Sequence, residues 1–221
     1  MFFEVREMML DVKIDDSIVK VQKPAVICNN VKAFIDFVIT ERHLEGQICI
    51  KIVGADGGGG FFKVCINIYA DPEEITKPHA KKFAVQNSKG SAPAKFKDSG
   101  VKKLLLLAIV EGIPETYDNV KVIFMALDIE HVDFCLACDL KLTNIVFGLQ
   151  SHSSTYPCVY CLSKKGFSES GLLRTLGFLK ESVKAFKESG LTAKDGKLFY
   201  NTINEPLIKG PNSILEHASS S

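Results

Sequence analysis

Residues Lys51 to Phe62 read KIVGADGGGGFF, with one acid and four consecutive glycines between two apolar runs. The flanking segments, 47–53 and 61–69, have the composition of strands, so the stretch predicts a β-hairpin with Asp56 at its bend. Asp-Gly is a common hairpin turn. Four glycines exceed what a two-residue turn needs, because each carries an entropic cost on folding. The excess favours close approach of a ligand to Asp56, and a plain turn is the alternative.

The segments after this hairpin alternate between strand and helix patterns. VKKLLLLAIV, residues 101–110, is a continuous apolar run typical of a strand buried on both faces, and Pro114 opens a helical stretch. HVDFCLAC, residues 131–138, is a further strand that delivers Asp139, and a helical pattern follows from Leu140. The order strand, strand, strand, helix, strand, helix predicts an α/β fold in which helices flank a mixed sheet. That order suits a ribonuclease-H-like fold, and other α/β folds share it.

The chain divides into four expected segments. A helix capped by Asn29 or Asn30 is predicted to end near Gly46. The segments are an N-terminal helical segment (1–46), a ribonuclease-H-like core (47–150), a Cys-x-x-Cys insertion with a helix (151–190) and an extended tail (191–221). The low-complexity ending of that tail is typical of a truncated reading frame.

Composition limits the class of protein. The chain has 221 residues, 46% apolar and 24% charged, which is usual for a globular protein. A net charge of +1 excludes a polycation, so any polyanion must meet a local patch. The run Leu104–Val110 is too short to span a bilayer, so no membrane partner is expected. Seven cysteines and an N-terminus without a signal-peptide pattern predict a reducing compartment, the nucleus or the cytoplasm, and no secretion.

Two aspartates are the candidate catalytic and metal-binding residues. Asp139 precedes a predicted helix, so N-capping is its simplest role. In a ribonuclease-H-like sheet, however, the first hairpin strand lies beside the fourth strand, and Asp56 and Asp139 would then converge on one point. Two divalent metals about 4 Å apart require such a pair. The alternative is the Asp-Gly hairpin with which actin-like and sugar-kinase proteins hold nucleotide phosphates, often with a lysine such as Lys63 just beyond.

The cysteines offer a candidate zinc site. Cys158 and Cys161 have the spacing of a zinc knuckle and lie in a turn-rich stretch, so we expect zinc there. Cys135 and Cys138 repeat the spacing, and together the pairs match a four-cysteine template. The first pair lies in an apolar strand, where side chains three apart point to opposite faces, so buried thiols are favoured there. His152 is a third ligand or, more simply, an exposed loop residue.

A lysine-rich stretch runs through the long connection after the hairpin. Eight lysines and one acid lie between Lys77 and Lys103. A solvated loop and a surface for the nucleic-acid backbone are both compatible with this charge. The candidate nucleic-acid-binding residues are Lys81, Lys82, Lys95, Lys97, Lys102 and Lys103.

Several of these stretches resemble a known family. GADGGGGFFKVCINI, CDLKLTNIVFGLQSHSSTYPCVYC and GLLRTLGFL resemble transposon-derived open reading frames, and an Asp followed by a Cys-x-x-Cys resembles the catalytic core of Transib-like transposases and the V(D)J recombinase. The resemblance covers Gly54 to Phe178. It implies that Asp56 and Asp139 are two acids of a metal-binding triad with Mg²⁺, that Cys158 and Cys161 are half of a zinc site, and that DNA is the partner.

The chain departs from that pattern after the second cysteine pair. The family's remaining zinc ligands are histidines, followed by a third acid on a helix, whereas Glu205 and Glu216 lie on no convincing helical pattern. The resemblance therefore implies a truncated remnant of a DNA strand-transfer enzyme that is inactive alone, and it leaves enzyme activity and homo-oligomer formation open. An ATP-binding domain and a non-enzymatic zinc-stabilised binding module are the alternatives. No small-molecule cofactor is expected in the favoured interpretation.

Overall fold

A computed structural model describes residues 1–46, 48–70, 103–151, 153–166 and 172–208. Its strands and helices are, in chain order, β1 (Phe3–Ile14), β2 (Ser17–Cys28), α1 (Val31–Glu41), β3 (Cys49–Asp56), β4 (Phe61–Ala70), β5 (Leu105–Glu111), α2 (Tyr117–Leu127), β6 (Cys135–Leu136), α3 (Leu140–Val146) and α4 (Leu176–Ser189). The six strands form one mixed sheet in the order β1-β2-β5-β4-β3-β6. Helices flank this sheet, which confirms the predicted mixed α/β class. No helix within the described ranges is both long and apolar enough to cross a bilayer.

The predicted hairpin is formed by β3 and β4. The two strands pair antiparallel from Cys49 and Ala70 at the open end to Asp56 and Lys63 at the turn. Every second side chain of β4 from Phe62 onward is buried. This period of two is that of a strand with one face on the core, and it explains why the apolar runs beside the glycines predicted the hairpin.

Strand β5 occupies the middle of the sheet, as its continuous apolar sequence predicts. It pairs antiparallel with β4 on one side and with β2 on the other. Leu107 and Ala108 are fully buried. Because β3 and β5 are both antiparallel to β4, they run in the same direction, and their carboxyl ends lie at the same edge of the sheet.

The N-terminal segment is not the helical segment that we expected. Residues 3–28 form a hairpin of two 12-residue strands, β1 and β2, that pair along their whole length. Only Val31–Glu41 is helical, with the Asn30 side chain accepting from the Ala33 N–H as the predicted cap. The missed signal is Asp15, which has φ of 52° at the turn between two alternating runs.

Helix α2 carries the chain from β5 back to the sheet at β6. Thr116 caps α2, and the buried face of the helix includes Val120, Ile123 and Phe124. Strand β6 then pairs parallel with β3. It has only two residues, where an eight-residue strand was predicted. The Ala137 N–H still bonds to the Val53 carbonyl of β3, and after Ala137 the chain turns away.

Residues 191–208 do not form the extended tail that we expected. Ala193–Phe199 is a 3-10 helix, and Thr202 is fully buried. Gly148, at the end of α3, has φ of +70°, and a Cβ there would lie 2.0 Å from the carbonyl oxygen of Asn204. The segment is ordered by this close contact with a distant part of the chain, which no local pattern reveals.

A second, smaller hydrophobic core holds the cysteine-containing loop against α4. It is separate from the main core under the sheet. Its buried members are Phe147, Leu149, Val159, Leu176 and Leu179. The loop that carries Cys158 and Cys161 is therefore anchored by apolar contacts even though it has little regular structure.

Candidate metal-binding site at the edge of the sheet

The two predicted aspartates lie at the carboxyl ends of neighbouring parallel strands. Strand β3 pairs with β6 at Ile52–Cys135 and Val53–Leu136, and the Ala137 N–H bonds to the Val53 carbonyl. Asp56 is the last residue of β3, and Asp139 lies three residues after the end of β6 (139 − 136). Because the chain turns away after Ala137, the pairing does not extend to the two aspartates, and they follow neighbouring strand ends without being paired.

Each aspartate also fills the simpler role that the sequence offered for it. Asp56 Oδ2 accepts from the Gly58 N–H over 3.0 Å, which stabilises the turn. Asp139 Oδ1 accepts from the Leu142 N–H over 2.7 Å and caps α3. Both residues are exposed, and the other oxygen of each carboxylate has no hydrogen-bond or ion-pair partner in the described part of the chain. One oxygen of each aspartate is thus available for a cation.

A third acid, Glu115, lies at the same edge, and sequence reasoning missed it. Its Oε1 accepts from the Gly57 N–H over 2.8 Å, and its Oε2 forms an ion pair with Lys141 near the start of α3. The Glu115 side chain is only 12% exposed. Its position after β5, which ends at the same edge as β3, is the signal that could have identified it.

The pKa of the Cys138 thiol reflects the negative charge of the nearby acids. Burial raises the pKa of Cys138, and the negative charges of Asp139 and Glu115 raise it further, while a hydrogen bond with Thr143 lowers it. Two carboxylates from different elements therefore act on the same thiol. The edge is a region of concentrated negative charge.

The glycines are explained by contacts within the protein. A Cβ on Gly57 would lie 2.4 Å from Glu115 Oε1, and a Cβ on Gly58 would lie 2.7 Å from Asp56 Oδ2. Gly59 and Gly60 have φ of +68° and +80°, which favours glycine. Gly59 and Gly60 are thus favoured by the backbone conformation, while Gly57 and Gly58 pack against the ends of the Glu115 and Asp56 side chains.

The chemistry of this donor set fits magnesium. Mg²⁺ prefers oxygen ligands and is usually held by one or two carboxylates while it keeps several waters. Asp56, Glu115 and Asp139 do not bring one oxygen each to within 4.8 Å of one another. The three acids thus form no compact three-ligand cluster, and what the edge offers to a hard cation is carboxylate oxygens on separate elements.

A different group of three potential ligands lies at the far end of α2. Asp128, Glu130 and His131 are the one such trio within 4.8 Å among the described residues, and all three are exposed. They follow the last turn of an 11-residue helix whose first turn adjoins Glu115, about 16 Å away along the helix axis. Exposed acidic groups are common without an ion, so this trio does not replace the predicted site.

Cys158 and Cys161 lie close together in the loop before α4. Cys158 Sγ accepts from the Tyr160 N–H over 3.4 Å, and Cys161 Sγ donates to Ser163 Oγ over 3.2 Å. Burial raises the pKa of Cys158, and the neighbouring Cys161 contributes to this. In the described ranges no third His, Cys, Asp or Glu joins this pair within 4.8 Å. The described residues thus offer two neighbouring thiols and no further ligand at this place, and a zinc site there stays a prediction.

The other cysteine pair is not part of that site. Cys138 Sγ lies 3.2 Å from Thr143 Oγ1 at the start of α3. Cys135 lies in β6. The four cysteines of the two pairs, all within the described ranges, therefore form no four-ligand cluster. The expectation of separate, partly buried thiols describes the first pair better than the zinc template does.

A buried arginine lies beside the second cysteine pair, and sequence reasoning missed this residue too. Arg174 is 1% exposed, and burial lowers its pKa to about 10, while Cys158 and Cys161 act in the opposite direction. Its guanidinium donates to the carbonyls of Tyr156, Cys158 and Tyr200 and to the hydroxyl of Thr202. Arg174 thus joins the cysteine loop to the C-terminal segment.

Most of the predicted nucleic-acid-binding lysines lie outside the described residues. Lys81, Lys82, Lys95, Lys97 and Lys102 belong to this group, as do His152 and Glu216. Lys103 is described, and its carbonyl accepts from Arg42 over 2.8 Å.

Glu205, which we considered as a third acid, is engaged away from the two aspartates. Its carboxylate pairs with Lys187 over 2.5 Å, and its carbonyl accepts from the Tyr117 hydroxyl over 2.9 Å. Burial and the charge of Glu205 raise the pKa of Tyr117 to about 12. These contacts tie the C-terminal segment to α2 and α4, which is a structural role.

Helix α4 lines a cavity with charges of both signs. Lys180, Lys184 and Lys187 recur at helical spacing beside Glu188 and Glu205 around a cavity of about 450 Å³. Lys184 pairs with Glu188 over 3.8 Å and Lys187 pairs with Glu205 over 2.5 Å, so two of the three lysines already face an acid.

Comparison with known proteins does not assign the chain. Neither a scan of protein-family models nor a search of curated proteins finds a match. Function must therefore be inferred from the residues and their geometry.

Proposed function

We propose that this chain is the ribonuclease-H-like core of a transposase-derived protein, a DNA-binding remnant of a metal-dependent strand-transfer enzyme. The observation that carries the proposal is the parallel pairing of β3 with β6, since Asp56 ends β3 and Asp139 follows β6 by three residues. The strand order β5-β4-β3-β6 also supports it, since β6 is parallel to the first strand of the hairpin and lies beside it. That is the arrangement on which two catalytic carboxylates of such a fold depend.

Asp56 and Asp139 are the proposed Mg²⁺ ligands. Each offers one oxygen that is not used within the described part of the chain, at an exposed edge that DNA can reach. Bound there, Mg²⁺ would supply activation of a water or of a DNA 3′-hydroxyl and stabilisation of the leaving oxygen. The contribution of the protein would be to hold the Asp56 carboxylate at the end of a paired strand and the Asp139 carboxylate at the start of α3, which it caps.

The proposed active centre lacks a third acid of the kind found in the family. Glu205 is paired with Lys187, and Glu115 is paired with Lys141. A carboxylate that already neutralises a lysine is a weaker ligand. We therefore expect metal and DNA binding without strand transfer by this chain alone.

A structural zinc ion is the second part of the proposal. Thiolates are the preferred ligands of structural zinc, and Cys158 and Cys161 are adjacent in a loop anchored by its own small core. Burial raises the pKa of the Cys158 thiol, so zinc would displace a proton on binding there. The remaining ligands would come from the chain or from a partner.

The metal proposal is tested by Mn²⁺ binding to the full chain, measured by electron paramagnetic resonance. Asp56→Asn and Asp139→Asn should each weaken Mn²⁺ binding at least tenfold, since each removes one of two carboxylate ligands. Asp36→Asn on the exposed face of α1 is the matched control and should change nothing. Unchanged binding in both site variants would falsify the metal site.

DNA binding is tested by fluorescence anisotropy at several salt concentrations. Replacing Lys81, Lys82, Lys95 and Lys97 by glutamine should flatten the dependence of log K on log salt by about 0.9 for each phosphate that the protein no longer neutralises. A second variant, with Lys180, Lys184 and Lys187 replaced in the same way, measures how much α4 contributes to DNA binding. Binding that is independent of salt would count against a backbone-binding surface.

Two further measurements separate this proposal from the two alternative functions, an ATP-binding domain and a zinc-stabilised binding module. An ATP-binding domain would use the Asp-Gly hairpin with Lys63 opposite Asp56, and Mg-ATP should then raise the melting temperature. The segment CDLKLTN at Asp139 has no glycine for a second phosphate turn, so we expect no shift. A zinc-stabilised binding module would unfold on chelation while Asp56→Ala leaves DNA binding intact.

A further inference from the structure

The acidic edge already contains a positive charge supplied by the protein. Lys141 is the second residue of α3, two positions after the cap Asp139. Its ammonium forms an ion pair with Glu115, whose other oxygen accepts from Gly57 beside Asp56. The lysine thus contacts the one acid that touches both the Asp56 turn and the start of α3.

The two side chains of this ion pair differ in how freely they can move. Glu115 is 12% exposed and is held by the Gly57 N–H, whereas Lys141 is 52% exposed. A lysine ammonium on a flexible four-carbon stem can leave its partner by rotation of the side chain. The carboxylate is therefore the fixed member and the ammonium the displaceable one.

Other lysines do not take this position. Lys63 is opposite Asp56 in the strand register, but it forms no ion pair with Asp56 among the described residues. Among the lysines in the described ranges, Lys141 is the one that pairs with an acid of this edge. Its charge is therefore the one that an incoming divalent ion would meet.

We propose that Lys141 is an internal cation that occupies the acidic edge and lowers its affinity for divalent metal. The inference rests on the proposed Mg²⁺ site at Asp56 and Asp139. A divalent ion must either displace the ammonium from Glu115 or bind beside it against charge repulsion. Removal of Lys141 takes this positive charge away from the edge, so the loss of the side chain strengthens metal binding.

The test is Mn²⁺ binding to the full chain by electron paramagnetic resonance and by calorimetry. Lys141→Met should bind Mn²⁺ about tenfold more tightly, the order expected for removal of one charge a few ångströms from a divalent ion at an exposed site. Lys141→Arg keeps the charge and should match the wild type within twofold. Lys20→Met removes a lysine that is 58% exposed from an ion pair with Asp11, which is 10% exposed, and is the matched control, also unchanged.

The sign of the effect separates this proposal from a purely structural role. If Lys141 only stabilises the fold, Lys141→Met should bind Mn²⁺ equally or more weakly, and that result overturns the inference while the site at Asp56 stands. If the wild type shows no binding that Asp56→Asn removes, both proposals fail. Lys141→Gln gives the same reading should the methionine variant not fold, as judged by circular dichroism.

Discussion

The two Cys-x-x-Cys pairs have the same spacing and opposite surroundings. Cys135 and Cys138 lie in and just after a strand, and Cys138 contacts Thr143 of the following helix. Cys158 and Cys161 lie in a loop where their thiols interact with each other. Side chains three apart converge only where the backbone turns, so spacing alone does not create a metal site.

The charges around the two pairs also differ. The carboxylates of Asp139 and Glu115 raise the pKa of Cys138 beyond the effect of burial. The second pair lies beside the buried guanidinium of Arg174. Burial raises the pKa of both Cys138 and Cys158, so what differs is the neighbouring charge, carboxylates at the first pair and a guanidinium at the second. We expect a soft metal ion only at the second pair, where the two thiols interact with each other.

The largest expected effect on this comparison comes from Arg174→Ala. The change removes four hydrogen bonds and leaves buried carbonyls unsatisfied, so we expect a loss of about 3–5 kcal/mol in the free energy of unfolding. Chemical denaturation measures it. Arg42→Ala, which removes two hydrogen bonds at a partly exposed site, should cost about 1 kcal/mol. Equal costs would mean that Arg174 does not organise the cysteine loop.

The second-largest expected effect is on metal binding, which should distinguish the two cysteine pairs. Co²⁺ added to the reduced chain should give a thiolate-to-cobalt absorption band that Cys158→Ser or Cys161→Ser weakens at least tenfold in affinity. Cys135→Ser and Cys138→Ser should leave the band intact. Loss of the band in the second set would mean that the four cysteines share an ion.

The smallest effect concerns thiol reactivity. A raised pKa means less thiolate at any pH below it, so Cys138 should react with iodoacetamide more slowly than a free cysteine at pH 8. Glu115→Gln removes one of the charges that raise this pKa and should speed the reaction of Cys138 severalfold. Peptide mass spectrometry measures the reaction rate of each cysteine, and Cys158 serves as the internal control. An equal increase in the rate at Cys158 would indicate a general loosening of the fold.

Local patterns predicted the parts of the fold that neighbouring residues control. The hairpin around the glycines, the cap at Asn30 and the apolar strand β5 all follow from alternation, capping chemistry and continuous burial. The N-terminal hairpin carried a readable signal at Asp15 and was missed. Helix α2 begins within three residues of the predicted Pro114 start.

The parts that sequence reasoning missed depend on contacts between distant segments. Glu115 became part of the site only because β5 and β3 end at one edge. The role of Arg174 requires the C-terminal segment to fold back past Gly148. A hydrogen bond across more than twenty residues leaves no periodic trace in the chain.

By itself the sequence determined the α/β class, the Asp-Gly turn and the candidate acids and thiols, because composition, period and turn chemistry act over a few residues. Only the tertiary structure decided which of those groups meet. The parallel pairing of β3 with β6 brought the carboxyl ends of these strands together, Glu115 paired with Lys141 beside the Asp56 turn, and a buried arginine came to lie beside the second cysteine pair. Strand pairing and burial join residues far apart in the chain, and they do so through the free energy of the whole fold.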